Sequence, residues 1–398
     1  MNMSGRKTLA IMLAASFAST IGGLPFNTLP ILLGSMVDSL GFTVEQIGLL
    51  GSVCFAGYLL GTLLAVVLID HMNWRWLTLG CALGAAASYG MSSWLPATAQ
   101  LPLWAVIGFF AALMTCLGMR IMGEMANKER ALGMRLGIEL GVVAAVLFAL
   151  PSLVIAYFHY TGAALMLAAI ILLLSLSALA LPRRQDFIHH AQQAHADSLR
   201  SRFKLPPAAY AALAFFFLFG AGQIGLWAFL ERLGHGLALQ PAELGIVFAV
   251  LKLLGGAAAL ALAVVGDRLG VRVPHLIVLA VLGTGLLLLG NAEGFLMYAA
   301  GAWIWEVGFT WGCVYQTAAI ARLDPSGRSI MLIPGAFALS SMAGPALAGQ
   351  LVGQGFGMLL WLAAGCALVP VLAFTWLLAQ RLQNVGTAAT QLECRLDG

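Results

Sequence analysis

Charge is what this sequence has least of. Only 9% of its 398 residues are Asp, Glu, Lys or Arg, against roughly 25% in an ordinary soluble domain, and 61% are hydrophobic. That balance excludes a water-solvated globule and gives an integral membrane protein. Cysteine pairing is also absent: the six cysteines contain no Cys-x-x-Cys pair, and Cys54, Cys81, Cys116, Cys313 and Cys366 fall inside apolar runs. Neither a disulfide framework nor a zinc site is expected. No Gly-x-x-x-x-Gly-Lys-Ser/Thr occurs, so the chain has no ATP-hydrolysing site of its own; its energy comes from a gradient or from none. No nucleophile-and-base pair or metal-ligand cluster appears, so an enzyme, a cofactor and a nucleic-acid partner are not expected. His189, His190 and His195 lie in a polar linker without metal-ligand spacing. The run Gly220-Ala221-Gly222-Gln223-Ile224-Gly225 fits the dinucleotide pattern but lies within an apolar segment, where small residues serve close helix packing. A cleavable signal is not expected either, because the apolar run after Arg6-Lys7 is far longer than a signal h-region.

What is there is a series of long apolar runs. A span needs about 20 apolar residues to cross the hydrocarbon core. On that rule helices are expected near 8–36, 44–69, 76–95, 102–122, 132–158, 161–182, 207–232, 242–266, 273–291, 294–320, 330–352 and 357–380. The expected fold class is all-α, with twelve spans in two bundles of six. An N-terminal bundle (1–182), a linker (183–206), a C-terminal bundle (207–381) and a tail (382–398) follow. With the N-terminus inside, 17 of the 20 lysines and arginines fall in cytoplasmic segments, only Arg232 falls outside, and Arg120 and Lys252 are embedded. The asymmetry puts both termini in the cytoplasm, and a cell membrane of the bacterial inner type is the expected location.

The two halves repeat. Asp70, in Asp70-His71-Met72-Asn73-Trp74-Arg75, and Asp267, in Gly266-Asp267-Arg268-Leu269-Gly270-Val271-Arg272, lie 197 positions apart; Arg130 and Arg328 lie 198 apart. One offset shared by two markers is what a duplicated unit gives. These loops resemble the Gly-x-Leu-x-Asp-Arg-x-Gly-Arg-Arg-like signature of the major facilitator superfamily, and the resemblance spans nearly the whole chain. Asp267, Arg268, Gly270 and Arg272 match well. The first loop departs, with Val66, His71 and Asn73 where the signature has glycine, arginine and glycine. The resemblance implies two six-helix bundles about a pseudo-two-fold axis, a solute site between them, and a cytoplasmic gate. Candidates for that gate are Asp70, Arg75, Gly266, Asp267, Arg268, Gly270, Arg272, Glu124, Arg130, Arg135, Asp324 and Arg328. A drug–proton antiporter is less well matched: Trp104 stands near the position of the usual helix-four arginine, and the Gly-Pro run falls in helix eleven, at Gly344-Pro345.

Ionisable residues in spans are costly and tend to line a pathway. Arg120 and Glu124, and Arg135 and Glu139, are four apart. If helices four and five form a hairpin, Arg120 faces Glu139 and Glu124 faces Arg135, either as a latch or as a proton or solute relay. Lys252 and Glu306 fall near mid-membrane, paired with each other, with a ligand, or with protons. Helix seven offers Gln223, Trp227 and Glu231 at spacings of four; helix one offers Thr20, Asn27 and Thr28 beside Pro25 and Pro30; helix ten offers Trp303. In the resembled family helices one, four, seven and ten line the cavity. The expected function is a monomeric secondary transporter of a small organic solute, with an anion favoured by the embedded cations and with protons carried at Glu139 or Glu306. Drug or metabolite efflux, and a non-transporting receptor or scaffold, are the alternatives.

Overall fold

The computed structural model describes residues 5–123, 125, 128–182, 205–265, 273–324, 329 and 332–396. Among these there is no β-strand. Twelve helices run in order: α1 (Gly5–Leu40), α2 (Val44–His71), α3 (Trp74–Ser92), α4 (Ala97–Gly123), α5 (Lys128–Ala149), α6 (Ala156–Ser175), α7 (Pro207–Gly236), α8 (Pro241–Val265), α9 (Val273–Gly290), α10 (Phe295–Leu323), α11 (Ile333–Val352) and α12 (Phe356–Leu396). They form two pseudo-symmetric bundles of six transmembrane helices. Eight stretches of the described residues are long and apolar enough to cross a membrane on length and composition alone, and one of them, Gly133–Ala180, takes in both α5 and α6. The helices α3, α10 and α11 are not among the eight, because tryptophan, glycine, serine and glutamine lower their hydropathy.

Local chemistry sets several boundaries. Thr43 caps α2 in a reciprocal box with Gln46, and the Asn73 side chain accepts from Arg75 N at the start of α3; each satisfies a backbone donor that a helix start leaves open. The α5–α6 boundary needs two devices. Pro151 lacks the N–H for a normal helical bond, and the backbone widens there into a π turn over Leu150–Ile155. His159 then adopts φ 55, ψ −154, which ends one span and begins the next, within the 158–161 gap read from the sequence. At its far end α12 runs to Leu396, beyond the expected stop at 380, since the polar stretch that follows contains no proline to end it.

Packing follows the pseudo-symmetry. Within the halves, α1 packs against α4 and α5, and α7 against α11 and α12. Between the halves, α5 meets α8 and α2 meets α11, two contacts that the pseudo-two-fold axis exchanges. Within each half, glycine allows the helices to approach closely. A Cβ at Gly108 would collide with the Cys54 carbonyl of α2, and one at Gly225 would meet the Gly344 carbonyl of α11. The glycine run of α7 thus serves packing. Outward, Leu60, Leu63, Trp94, Leu173, Trp361 and Trp376 are exposed, as a lipid-facing surface requires.

Gly108→Leu should cost about 3 kcal/mol, the upper end for overpacking, because the obstructing atoms are backbone. Gly80→Ala, at an exposed site with no atom near its would-be Cβ, should be neutral or stabilising. Thermal unfolding of the purified proteins in detergent checks both, and equal melting temperatures for the two variants would contradict the packing account.

Candidate functional site

Four helices bring the central side chains together: α8 supplies Lys252, α10 Glu306, α7 Trp227 and α1 Phe26. Lys252 Nζ lies 3.6 Å from Glu306 Oε1, with both side chains less than a tenth exposed. The ammonium also sits 3.7 Å from the centroid of the Trp227 indole and 5.7 Å from that of Phe26, a desolvated cation–π arrangement of the kind worth about 2 kcal/mol. The ion pair itself is slack. Charge-assisted hydrogen bonds run at about 2.7–2.9 Å, and Glu306 Oε2 is buried with no hydrogen-bond partner among the described residues. Gly255 makes room for the carboxylate, since a Cβ there would overlap Glu306 Oε1. Two ionisable groups therefore sit in a low-dielectric surrounding with hydrogen-bonding capacity unused, which folded proteins seldom leave so.

A second ion pair faces this one from the N-terminal half. Arg135 Nη2 is 2.7 Å from Glu139 Oε2, and Arg135 Nε donates to Ser19 Oγ of α1 at 2.5 Å. Gly23 of α1 leaves the space that the Glu139 carboxylate occupies, and Glu139 lies within electrostatic reach of Lys252. One rung of the expected cross-hairpin ladder, Arg120 with Glu139, is corrected here; the other, Glu124 with Arg135, lies outside the described residues at Glu124. Glu139 takes its cation from its own helix, one turn back, and Arg120 is exposed at the end of α4. The reason is architectural: α1 packs against both α4 and α5, so the two chain neighbours do not form a face-to-face hairpin.

Other sequence candidates separate by role. Gln223 bonds inside its own half, donating to the Ala363 carbonyl and accepting from Trp305 Nε1, each at 2.8 Å. Trp303 donates to Val247 O of α8 at 3.0 Å, and the Asn27 amide bonds back to Gly23 O on α1 at 2.9 Å. At the face that carries the chain termini, Arg75 Nε donates to Leu181 O at 2.6 Å, and Asp324 Oδ2 accepts from Ser329 N at 2.8 Å. Glu124, Gly266, Asp267, Arg268, Gly270, Arg272 and Arg328 lie outside the described residues, as do the side chains of Asp70 and Arg130.

The opposite face, called here the far face, holds a latch that the sequence reading missed. Arg232 of α7 bonds Asp38 of α1 in a two-pronged pair, Nη1 to Oδ1 and Nη2 to Oδ2, both at 2.8 Å. It also bonds Glu231 Oε2 at 2.7 Å. One guanidinium thus bridges two carboxylates and joins the halves. Glu231 lies against Gly34, and close by Gly48 of α2 packs on Pro345 and Gly349 of α11 with no room for a Cβ. A signal for the latch was present: Asp38 and Arg232 are 194 apart, close to the repeat offset, and an axis relating the halves brings equivalent positions of α1 and α7 face to face.

Against known proteins, the family model described as Major Facilitator Superfamily matches residues 11–324. The chain belongs to that superfamily. Among solved members of similar fold is the nucleoside transporter NupG; a crystal structure of one of its variants aligns with a TM-score of 0.79, 14% identity, and coverage of 92% of this chain and 99% of that one. A bacterial homologue of the human lysosomal transporter Spinster, in an inward-facing and unoccupied conformation, aligns with a TM-score of 0.68 at 14% identity, covering 96% and 98%. A comparison with curated protein sequences gives no match. As a member of the superfamily the protein is a secondary transporter of the membrane, and its central side chains sit where the two bundles of that fold meet.

Removing Arg232 leaves Asp38 and Glu231 without the guanidinium that bridges them. Arg232→Met should therefore open the far face. A cysteine in place of Leu33, which is buried and lies, like Pro345, against Gly51, reports it. Its alkylation should quicken about ten-fold, the equivalent of about 1.4 kcal/mol. An unchanged rate would mean that the latch does not hold the halves together.

Proposed function

We propose that the protein moves a small organic anion together with a proton, and that the Lys252–Glu306 pair is where both are held. The slack geometry of that pair carries the reading. In the empty state the lysine and the glutamate neutralise each other, as burial demands. Protonation of Glu306 frees Lys252 to hold an anionic head group by charge-assisted hydrogen bonds, and the protonated carboxyl becomes a donor as well. Proton and monoanion together keep the site neutral, so the loaded site is no harder to bury than the empty one. The far-face latch supports a state closed on that side, and opening and closing of the two faces in turn carries the solute across. The positive-charge asymmetry supports a cytoplasmic terminal face with both termini inside, and the reading takes the protein as a monomer of a bacterial inner membrane. Glu139, paired with Arg135, is the second protonatable group on the path. The direction of transport, uptake or efflux, depends on the gradients imposed.

The reading is tested with the purified protein and a thermal-shift screen of monocarboxylates, zwitterionic amino acids, nucleosides, sugars and cationic drugs, since any ligand that prefers the folded state raises the apparent stability. A monocarboxylate should raise the melting temperature more strongly as the pH falls, because binding takes up a proton. Lys252→Met should abolish the shift. Glu306→Gln, which imitates the protonated acid, should keep the shift and lose its pH dependence. A shift with neutral solutes alone would contradict anion recognition. No shift with any class, together with no counterflow in proteoliposomes, would favour a receptor.

A further inference from the structure

The Trp227 indole makes two contacts that belong to different halves of the molecule. Its face carries the Lys252 ammonium of its own half at 3.7 Å. Its Nε1–H donates to the backbone carbonyl of Phe26, in the other half, at 3.1 Å. That carbonyl is open for a reason written in the chain. Its helical partner would be the N–H of residue 30, and residue 30 is a proline within α1, which has no N–H to give. A carbonyl freed in this way is satisfied by a neighbouring helix, a hydroxyl side chain or an ordered water, and here the donor is the indole of α7. The indole is also held from its sides, by Phe248 at 5.5 Å and the Phe26 ring at 6.4 Å between centroids. It cannot turn without loosening one of its two contacts.

We propose that Trp227 is the positioning residue that ties the occupancy of Lys252 to the closure of the two halves. The proposal rests on the reading of Lys252 and Glu306 as the solute centre. When a solute draws the ammonium off the indole face, the ring loses the contact that fixes its tilt, and the Nε1–H bond to Phe26 weakens. α1 and α7 are then released from each other at mid-membrane, one step below the Asp38–Arg232 latch on the same two helices. Pro30 serves this device by keeping the Phe26 carbonyl free for a donor that can leave. A proline that only bent α1 would have no interaction with Trp227. Here the two residues act on a single bond.

A double-mutant cycle separates these possibilities. Spin labels on cysteines replacing Thr98, in the first turn of α4, and Glu293, in the loop before α10, both exposed and in opposite halves at the far face, report far-face opening in the full chain in nanodiscs, with the native cysteines changed to alanine in every sample. Trp227→Phe keeps an aromatic face and removes the donor. It should raise the ratio of open to closed far face about five-fold, the usual effect of one hydrogen bond. Pro30→Ala restores an N–H that takes the Phe26 carbonyl within the helix and should act alike, and the double variant should go no further than either single one. Additive shifts, or no shift in either, would overturn the proposal. Lys252→Met should also open the far face when Trp227 is present and should add nothing to Trp227→Phe; equal shifts in both backgrounds would overturn the coupling to Lys252. If Pro30→Ala does not fold, as judged by size-exclusion chromatography, the Lys252–Trp227 cycle decides alone. Failure of the solute reading shows itself elsewhere, as a monocarboxylate thermal shift that survives Lys252→Met.

Discussion

Burying a charge in hydrocarbon is the constraint on which the rest of this molecule depends. Lys252 and Glu306 occupy the middle of the bundle, and neither is tolerable there alone. Everything around them lowers that cost or uses it: the Trp227 face beneath the ammonium, the missing side chain at Gly255, and the Arg135–Glu139 pair across the midline, which is itself neutral. The site is held near zero net charge by pairing on both sides. A transporter gains from this in one particular way. A pair that is neutral but loosely bonded can exchange partners at little cost, whereas a tight, fully hydrogen-bonded pair would be a structural clamp.

Among the described residues two polar contacts join α1 to α7, and they differ in how they break. The far-face latch is ionic, and its Asp38 side chain is nearly half exposed, 47%, so solvent screens it and stands ready to replace it. The Trp227–Phe26 bond is neutral and buried, on a carbonyl that a proline has set free. Around them, close glycine packing between α2 and α11 excludes water without adding charge. Such an interface has few strong bonds to lose when it opens.

The fold was legible because its signals are long. Twelve apolar runs, one sharp charge asymmetry and a 197-residue repeat survive errors of several residues at any boundary, and the break near His159 was placed correctly from the apolar pattern alone. The Lys252–Glu306 pairing was also open to reading, since two opposite charges at equal depth in one bundle have few other partners. The Arg120–Glu139 rung fails for an instructive reason: an index sum pairs helices that are adjacent in sequence, and in this topology α1 packs against both α4 and α5. Asp38, Arg232 and the open carbonyl of Phe26 were missed because each depends on a partner about 200 positions away. The repeat offset was the missing guide, since a two-fold axis brings equivalent positions of α1 and α7 together. Read with that rule, Phe26 and Trp227, 201 apart, are neighbours as well.

The central claim is that the buried centre stays neutral through the cycle, with a proton entering for each monoanion. Charge movement measures this directly. Proteoliposomes adsorbed on a solid-supported membrane, given a step in the concentration of a monocarboxylate that the protein binds, should take up protons together with solute and show no sustained current. A steady current carried with the solute, of either sign, would mean that a net charge crosses with each turnover and would contradict a centre built to remain neutral.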